Sequence, residues 1–262
     1  MNSRRILAIL KQEYYITRRS VEIIFDILFM PVMSIVVFGF LSSYLASSGN
    51  PQAAGGVLMG MILWQVLFIV QYSVAVGSLW NIWSRNLSTM FVSPLQVKEY
   101  ILAHTLSGVV KGLMILTLSS AICYFLFDFN ILQLGFFNLI LFLGNFMLFA
   151  VAVGMMILGA IFRFGTKIQA LAWGLLSILQ PLTAAFYPVS VLPSPIREFS
   201  YIFPATHIFE AARLAYATGA TNWNALFIAF GLNIVYLIIG MKVFKSMFYA
   251  SRMSGQFARN EG

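Results

Sequence analysis

Six long apolar runs, with basic residues concentrated in the segments on one side of them, restrict this chain's fold more than any other feature. Of its 262 residues, 60% are hydrophobic and only 9% are charged, and the mean hydropathy is +0.88. A soluble core cannot absorb that much apolar surface, whereas an uncharged run of about 18 residues can cross a bilayer. We therefore predict an all-α polytopic membrane protein. Its six predicted transmembrane helices are Phe25–Tyr44, Val57–Trp80, Leu106–Phe127, Leu134–Phe162, Ile168–Tyr187 and Trp223–Phe244.

The Lys and Arg residues predict the orientation of these helices. Thirteen of the 16 lie in the four segments that six crossings place on one side, at 1–24, 81–100, 163–167 and 242–262. By the positive-inside rule that side is cytoplasmic, and both termini lie on it. The net charge of +8 then reflects topology and attraction to anionic headgroups, so we predict no nucleic-acid partner.

Residues 1–24 are predicted to form an interfacial helix. Arg4, Lys11 and Arg18 recur every seven residues on one face, and apolar side chains lie on another. Such a helix lies at the membrane surface with its apolar side in the acyl boundary. The alternative is an ordinary basic flank of the first transmembrane helix. Neither a repeat nor a long linker divides the chain, so we predict one domain over 1–262.

Charged residues within the predicted transmembrane helices include Lys111 and Asp26. Lys111 lies near the cytoplasmic end of the third helix, and Asp26 lies near the same end of the first. Such residues are functional candidates by default. Lys111 either extends its ammonium group to the headgroups or pairs with Asp26. No series of carboxylates or histidines crosses the membrane, which disfavours an ion-coupled secondary carrier but leaves it as an alternative.

The sequence contains few features that are typical of an enzyme. It contains no G-x-x-x-x-G-K-[ST] phosphate loop, so another chain must supply any ATP chemistry. His207 and Glu210 share a helix face and could hold a metal or transfer protons. A metal site needs about three protein ligands, and Arg213 is an equally good partner for Glu210. We predict no catalytic, metal or cofactor site, and keep a membrane-bound lipid-modifying enzyme using His207 and Glu210 as an alternative.

Segment 81–95 on the cytoplasmic side is predicted to form a short amphipathic helix. Its apolar side chains recur at intervals of three and four, polar side chains fall between them, and a proline ends the pattern. The residues that define it are Trp83, Arg85, Leu87, Thr89, Met90, Ser93 and Pro94. Such a helix either lies on the membrane or docks a partner.

Segment 188–222 on the outer side is also more than a loop. Prolines interrupt it too often for a spanning helix, and it is too apolar to extend into water. A re-entrant pair of half-helices sheltered by protein satisfies both constraints. A folded external cap is the alternative.

At these two segments the chain resembles the permease subunit of ABC-2 type exporters. The matching cytoplasmic positions are Arg85, Thr89, Ser93, Pro94 and Leu95, with Ser88 where the family has glycine. The matching outer positions, in order and spacing, are Phe186-Tyr187-Pro188-Val189-Ser190, Leu192-Pro193, Phe203-Pro204-Ala205-Thr206-His207 and Arg213. The order of interfacial helix, six spans and short tail extends the resemblance over essentially the whole chain.

The resemblance implies a half-transporter that works with a second copy of itself and two ABC-type ATPase subunits, which would bind ATP and magnesium. Segment 81–95 would couple the membrane helices to the ATPase. The implied extracellular gate consists of Tyr187, Pro188, Leu192, Pro193, Pro204, His207 and Arg213. Family substrates are amphipathic, such as glycolipids, lipid-linked polysaccharides and drugs. The family is chiefly prokaryotic, which implies a bacterial or archaeal inner membrane.

Overall fold

Polar caps and left-handed residues define many of the helix ends. The Asn50 and Asn222 side chains each accept from a backbone N–H three residues ahead, and Asp128 and Gly219 end helices at positive φ. The computed structural model describes residues 1–84 and 86–255, which form helices, short 3-10 turns and loops, with no strand. The helices are α1 (Ser3–Arg19), α2 (Val21–Ser47), α3 (Pro51–Trp83), α4 (Leu87–Val92), α5 (Val97–Phe127), α6 (Phe136–Phe164), α7 (Leu171–Leu182), α8 (Ser194–Ser200), α9 (Pro204–Thr218) and α10 (Trp223–Met253).

In the part of the chain that the structure describes, five helices are long and apolar enough to cross a membrane: α2, α3, α5, α6 and α10. They correspond to five of the six predicted transmembrane helices and extend beyond most of the predicted ends. The α5 helix, for example, begins at Val97 rather than at Leu106. Gln96 and Glu99 form a capping box at this earlier start. The all-helical membrane fold predicted from the sequence is thus confirmed at this level.

The α3 helix is the centre of the bundle. It packs against α2, α5 and α6, while α10 packs along α6 and α1 packs against the start of α5. Small residues allow the closest approaches: Gly108 of α5 and Gly154 of α6 each face α3, where a Cβ would lie 3.0 Å or less from an α3 side-chain atom. Phe146 and Phe149 of α6 fill the core beside them and are fully buried.

The bundle has two chemically different ends. One end contains α1, α4, the start of α5 and the ends of α3, α6 and α10, and we call it the basic end. There, Ser251 of α10 donates to the Phe162 carbonyl of α6 at 2.5 Å. At the opposite end, Thr221 donates to Asn138 at 2.6 Å, which joins the start of α10 to the start of α6.

The predicted fifth transmembrane helix, Ile168–Tyr187, is wrong as a continuous helix. The structure has a 3-10 turn at Gly165–Ile168 and then α7, whose 12 residues are about 18 Å long. Pro181 lies in the last turn of α7, and Ala184 follows at a φ of +53°, so the helix cannot continue to Tyr187.

This segment nevertheless runs along much of α3. The Gln71 amide of α3 donates to the Ala172 carbonyl at 3.3 Å, and Gly60 of α3 contacts the Ala185 carbonyl. These α3 positions are 11 residues apart, about 16 Å along the helix axis. Residues 172–185 therefore run antiparallel to α3 towards the opposite end.

The short segments at the two ends also differ in detail from the sequence predictions. Residues 81–95 do not form one helix: Asn81–Trp83 completes α3, and α4 begins at Leu87. The α3 helix continues because the Asn81 side chain is buried and hydrogen-bonded within the bundle. Segment 188–222 contains a 3-10 turn and the two short helices α8 and α9, joined by a turn at 201–203.

Candidate functional site

A groove of about 320 Å³ opens at the basic end between α1 and the α4–α5 connection. Its walls are Arg5, Ala8, Ile9 and Gln12 from α1, Met90 from α4, and Ser93, Pro94 and Leu95 from the connection. The Arg5 guanidinium donates to the Pro94 carbonyl and lies 3.5 Å from Glu99 Oε2. The first helix and the predicted coupling segment therefore form one continuous surface of mixed polarity.

The coupling residues predicted from the sequence occupy different parts of this surface. Leu87 is fully buried and anchors α4 to the bundle, whereas Trp83 at the end of α3 is 42% exposed. Thr89, Ser93 and Pro94 are exposed and Met90 is half-buried. Ser93 Oγ donates to the Met90 carbonyl at 2.5 Å, which closes the end of α4. Arg85 lies outside the described residues.

The N-terminus of α1 is fixed to the start of α5 by Glu99. This carboxylate is fully buried, and its Oε1 accepts from the Asn2 backbone N–H at 2.6 Å. Its Oε2 accepts from the Gln96 N–H at 3.1 Å as part of the α5 capping box. One carboxylate thus joins the two helices, and Arg5 partly compensates its charge.

A chain of amide and phenol groups, half-buried at Gln12 and buried at Asn81 and Tyr100, connects α1, α3 and α5. The Gln12 amide donates to Asn81 Oδ1 at 2.7 Å, and the Asn81 amide donates to the Tyr100 hydroxyl at 2.9 Å. Buried polar groups in such a chain must all be satisfied, which fixes the relative positions of the helices that carry them. A displacement of α1 would therefore act directly on α3 and α5.

Below this chain, Lys111 pairs with a residue that sequence reasoning did not consider. Its ammonium lies 3.2 Å from Glu13 Oε2 of α1, and both side chains are largely buried. His104 Nδ1 lies 3.6 Å from the other Glu13 oxygen, in a space that Gly77 of α3 leaves open. From the sequence we predicted that Lys111 either contacts the headgroups or pairs with Asp26. The structure corrects this prediction: Lys111 pairs with Glu13 of α1, and Asp26 instead accepts a hydrogen bond from Tyr72.

At the opposite end, Glu210 and Arg213 on one face of α9 bind the chain segment before α8. Glu210 Oε1 accepts from the Val189 N–H at 2.9 Å and from Arg213 Nη2 at 2.7 Å. Arg213 Nη2 also donates to the Ala184 carbonyl at 2.8 Å. Arginine stays charged in proteins, so the contact between Arg213 and Glu210 is an ion pair.

A cavity of about 620 Å³ lies beside this pair. Arg213, Glu210 and Tyr187 line one side, and Asn50, Gln52 and Val57 from the start of α3 line another. Arg213 Nη1 is buried and lacks a hydrogen-bond partner among the described residues. The cavity thus combines apolar walls with an unused donor at its edge.

The other predicted gate residues shape residues 184–218, which contain α8 and α9 and which we call the outer hairpin. Tyr187 donates to the Pro181 carbonyl at 2.6 Å across the end of α7. Leu192 is buried against Val189, while Pro188 and Pro193 precede the 3-10 turn and α8 respectively. Pro204 is the first residue of α9.

His207 and Glu210 do not form a site together. His207 Nε2 lies 2.9 Å from the Tyr201 carbonyl, whereas Glu210 bonds to Val189 and Arg213. Within the described ranges, no group of three or more His, Cys, Asp or Glu side chains is placed to hold a metal. Both residues support the hairpin.

The residues that sequence reasoning missed are the polar groups of α1: Asn2, Gln12 and Glu13. Their partners lie about 70 to 100 residues away in the chain, so no local pattern indicates them. One signal was present, because Glu13 is an isolated carboxylate in a strongly basic segment. Such a residue is expected to find a cationic partner when buried.

The comparisons with known proteins gave a family match. The family described as ABC-2 type transporter matches residues 4–217, which include the groove, the buried polar chain and the outer hairpin. No curated protein matches the chain. The family match confirms the resemblance noted in the sequence.

Proposed function

Since this chain belongs to the ABC-2 type transporter family, we propose that it is the membrane-spanning subunit of an ATP-driven exporter. It works as a pair of copies with two ABC-type ATPase subunits, which bind ATP and magnesium. Its substrate is amphipathic and leaves the cytoplasm through the membrane helices. The observation that carries the coupling part of this proposal is the groove between α1 and the α4–α5 connection.

The groove is suited to transmit a partner's movement. A protein element seated between Ala8 and Pro94 touches α1 and the connection at once. From there the hydrogen bonds from Gln12 to Asn81 and from Asn81 to Tyr100 connect α1 to α3 and α5. Rigid elements with fixed polar contacts convert a local displacement into movement of whole helices.

We further propose six crossings, with both termini at the basic end on the cytoplasmic side of a prokaryotic inner membrane. Residues 165–187 provide the fifth crossing as a broken segment antiparallel to α3. The α8–α9 pair then re-enters from the outer side and, with the Glu210–Arg213 pair, forms the outer gate. The distribution of Lys and Arg supports this orientation.

Filling the groove is expected to abolish ATPase binding. Ala8 is exposed and lines the groove, so Ala8→Trp places an indole where the partner would sit. The tagged chain, purified in mild detergent, should bring down an ABC-type ATPase that mass spectrometry identifies, and the Ala8→Trp variant should lose it.

Leu7→Trp is the matched control, because Leu7 is the neighbouring exposed residue of α1 and lies outside the groove. This variant should retain the ATPase. Equal retention by both variants would remove the groove from the coupling path. The absence of any ABC-type ATPase from the unmodified chain would contradict the exporter itself.

The six-crossing topology predicts the labelling of single cysteines by a membrane-impermeant maleimide. The native Cys123 is buried, so it gives a low background. Ser48→Cys and Ala220→Cys, both exposed at the end opposite to the basic end, should react in intact cells. Lys98→Cys and Lys245→Cys should react only in inverted vesicles. Labelling of Lys245→Cys in intact cells would contradict a cytoplasmic C-terminus and with it the proposed orientation.

A further inference from the structure

Asp26 is a carboxylate within the first spanning helix, and it accepts a hydrogen bond from a neighbouring helix. It lies in a π-helical turn, Phe25–Phe29, and is half-buried. The Tyr72 hydroxyl of α3 donates to its Oδ2 at 2.7 Å. Isolated π turns are frequent at functional sites, and a carboxylate at this depth costs free energy unless a charge partner compensates it.

The protein does not supply that partner within the described residues. Lys111, which enters the bundle from α5, is already paired with Glu13 at 3.2 Å. The other carboxylates that lie near basic groups are Glu99, paired with Arg5, and Glu210, paired with Arg213. In the described part of the chain no Lys, Arg or His lies within 4.0 Å of Asp26.

Two aromatic rings lie beside the ring of Tyr72, whose hydroxyl binds Asp26. The Tyr72 ring lies 6.2 Å from the Phe68 ring of the same helix and 6.3 Å from the Trp173 ring of α7, measured between centroids. Phe68 and Trp173 are only partly buried, so their faces are not fully covered by the protein. Aromatic faces attract cations, and tryptophan does so most strongly.

A carboxylate bound to a tyrosine that lies beside two further aromatic rings favours an organic cation over a metal ion. A hard metal ion needs several oxygen ligands, whereas a bulky, weakly hydrated cation needs one counter-charge and apolar or aromatic surface. Building on the exporter function proposed above, we propose that Asp26, Tyr72 and Trp173 form a recognition site for a lipophilic organic cation. The positively charged part of an amphipathic substrate then lies at Asp26, and its apolar part lies against α3 and α7.

The test is equilibrium binding of tetraphenylphosphonium to the purified full-length chain in mild detergent. We expect saturable binding that tetraphenylborate, an anion of the same shape, does not compete for. Asp26→Asn keeps the acceptor for the Tyr72 hydroxyl but removes the charge, and should weaken binding by about tenfold or more. Trp173→Leu should weaken it to a smaller extent.

Glu198→Gln is the control, because Glu198 is exposed in α8 at the opposite end of the bundle; this variant should bind as the unmodified chain does. Absence of saturable binding, equal affinity in Asp26→Asn, or equal competition by tetraphenylborate would each overturn the site. A change of oligomeric state in Asp26→Asn would assign the carboxylate to subunit contact and overturn it too. ATPase recovery with the same chain tests the exporter function separately, since it does not involve Asp26.

Discussion

Replacing Lys111 with methionine is expected to destabilise the folded protein by about 3–5 kcal/mol. The change leaves Glu13 as a buried carboxylate that has lost its ammonium partner at 3.2 Å. His104, at 3.6 Å from the other oxygen, is itself fully buried and would have to take up a proton to compensate. The free energy of unfolding, from denaturation of the purified protein in mixed micelles followed by circular dichroism, measures the loss.

A double-mutant cycle separates the ion pair from other effects of the substitution. Glu13→Gln combined with Lys111→Met removes both charges and should recover much of the lost stability, because no uncompensated ion remains. Lys98→Met is the control: Lys98 is exposed on the same helix, and its replacement should change stability by about 0.5 kcal/mol at most. A Lys111→Met variant as stable as the control would contradict a buried Glu13–Lys111 pair.

This ion pair also shows where sequence reasoning reached its limit. Lys111 was identifiable as an unusual residue because its charge interrupts an apolar run. Its partner was not, because the pairing depends on how deeply α1 sits against α5. An interfacial helix predicted from its basic and apolar faces has no specified depth, and Glu13 lies on the side that the structure buries.

The spanning helices were predictable for a simpler reason. Their apolar runs exceed what a soluble core uses, and the bilayer requires all backbone groups to bond within each helix. The prediction of the fifth helix failed because a hydropathy scale does not detect a proline or a left-handed residue that ends a helix. Pro181 and Ala184 end α7 early, and the chain then continues along α3 without regular helix. The family was recognisable because its outer signature residues are close together in the sequence, so their order and spacing can be read directly.

The two ends of the protein are connected by α3. At the basic end, Asn81 ties this helix to α1 and α5. At the opposite end, Gly60 contacts the backbone at Ala185, within the hairpin that Arg213 holds. A rotation or shift of α3 driven from the groove would therefore reach the outer hairpin directly, which is the coupling that an alternating exporter requires.

Gly60→Ala is expected to disrupt the contact between α3 and the hairpin at a cost of about 3 kcal/mol, the upper part of the range for overpacking. A Cβ at Gly60 would lie 2.0 Å from the Ala185 carbonyl oxygen, which is a backbone atom. The carbonyl cannot move away easily, since Ala184 is at positive φ and its own carbonyl accepts from Arg213. The unfolding free energy should fall, and trypsin should cleave at Arg197 in the hairpin faster.

Gly56→Ala, one turn earlier on the same helix, isolates the steric effect. A Cβ at Gly56 meets nothing within 4 Å, so alanine there should leave the hairpin intact and stabilise the helix by about 0.5–1 kcal/mol. The two variants make the same chemical change, and only the neighbouring backbone differs. Opposite signs of the two stability changes are therefore the expected result. If both variants stabilise the protein equally, residues 184–186 do not rest on α3 and the route from the basic end to the outer hairpin is interrupted at this point.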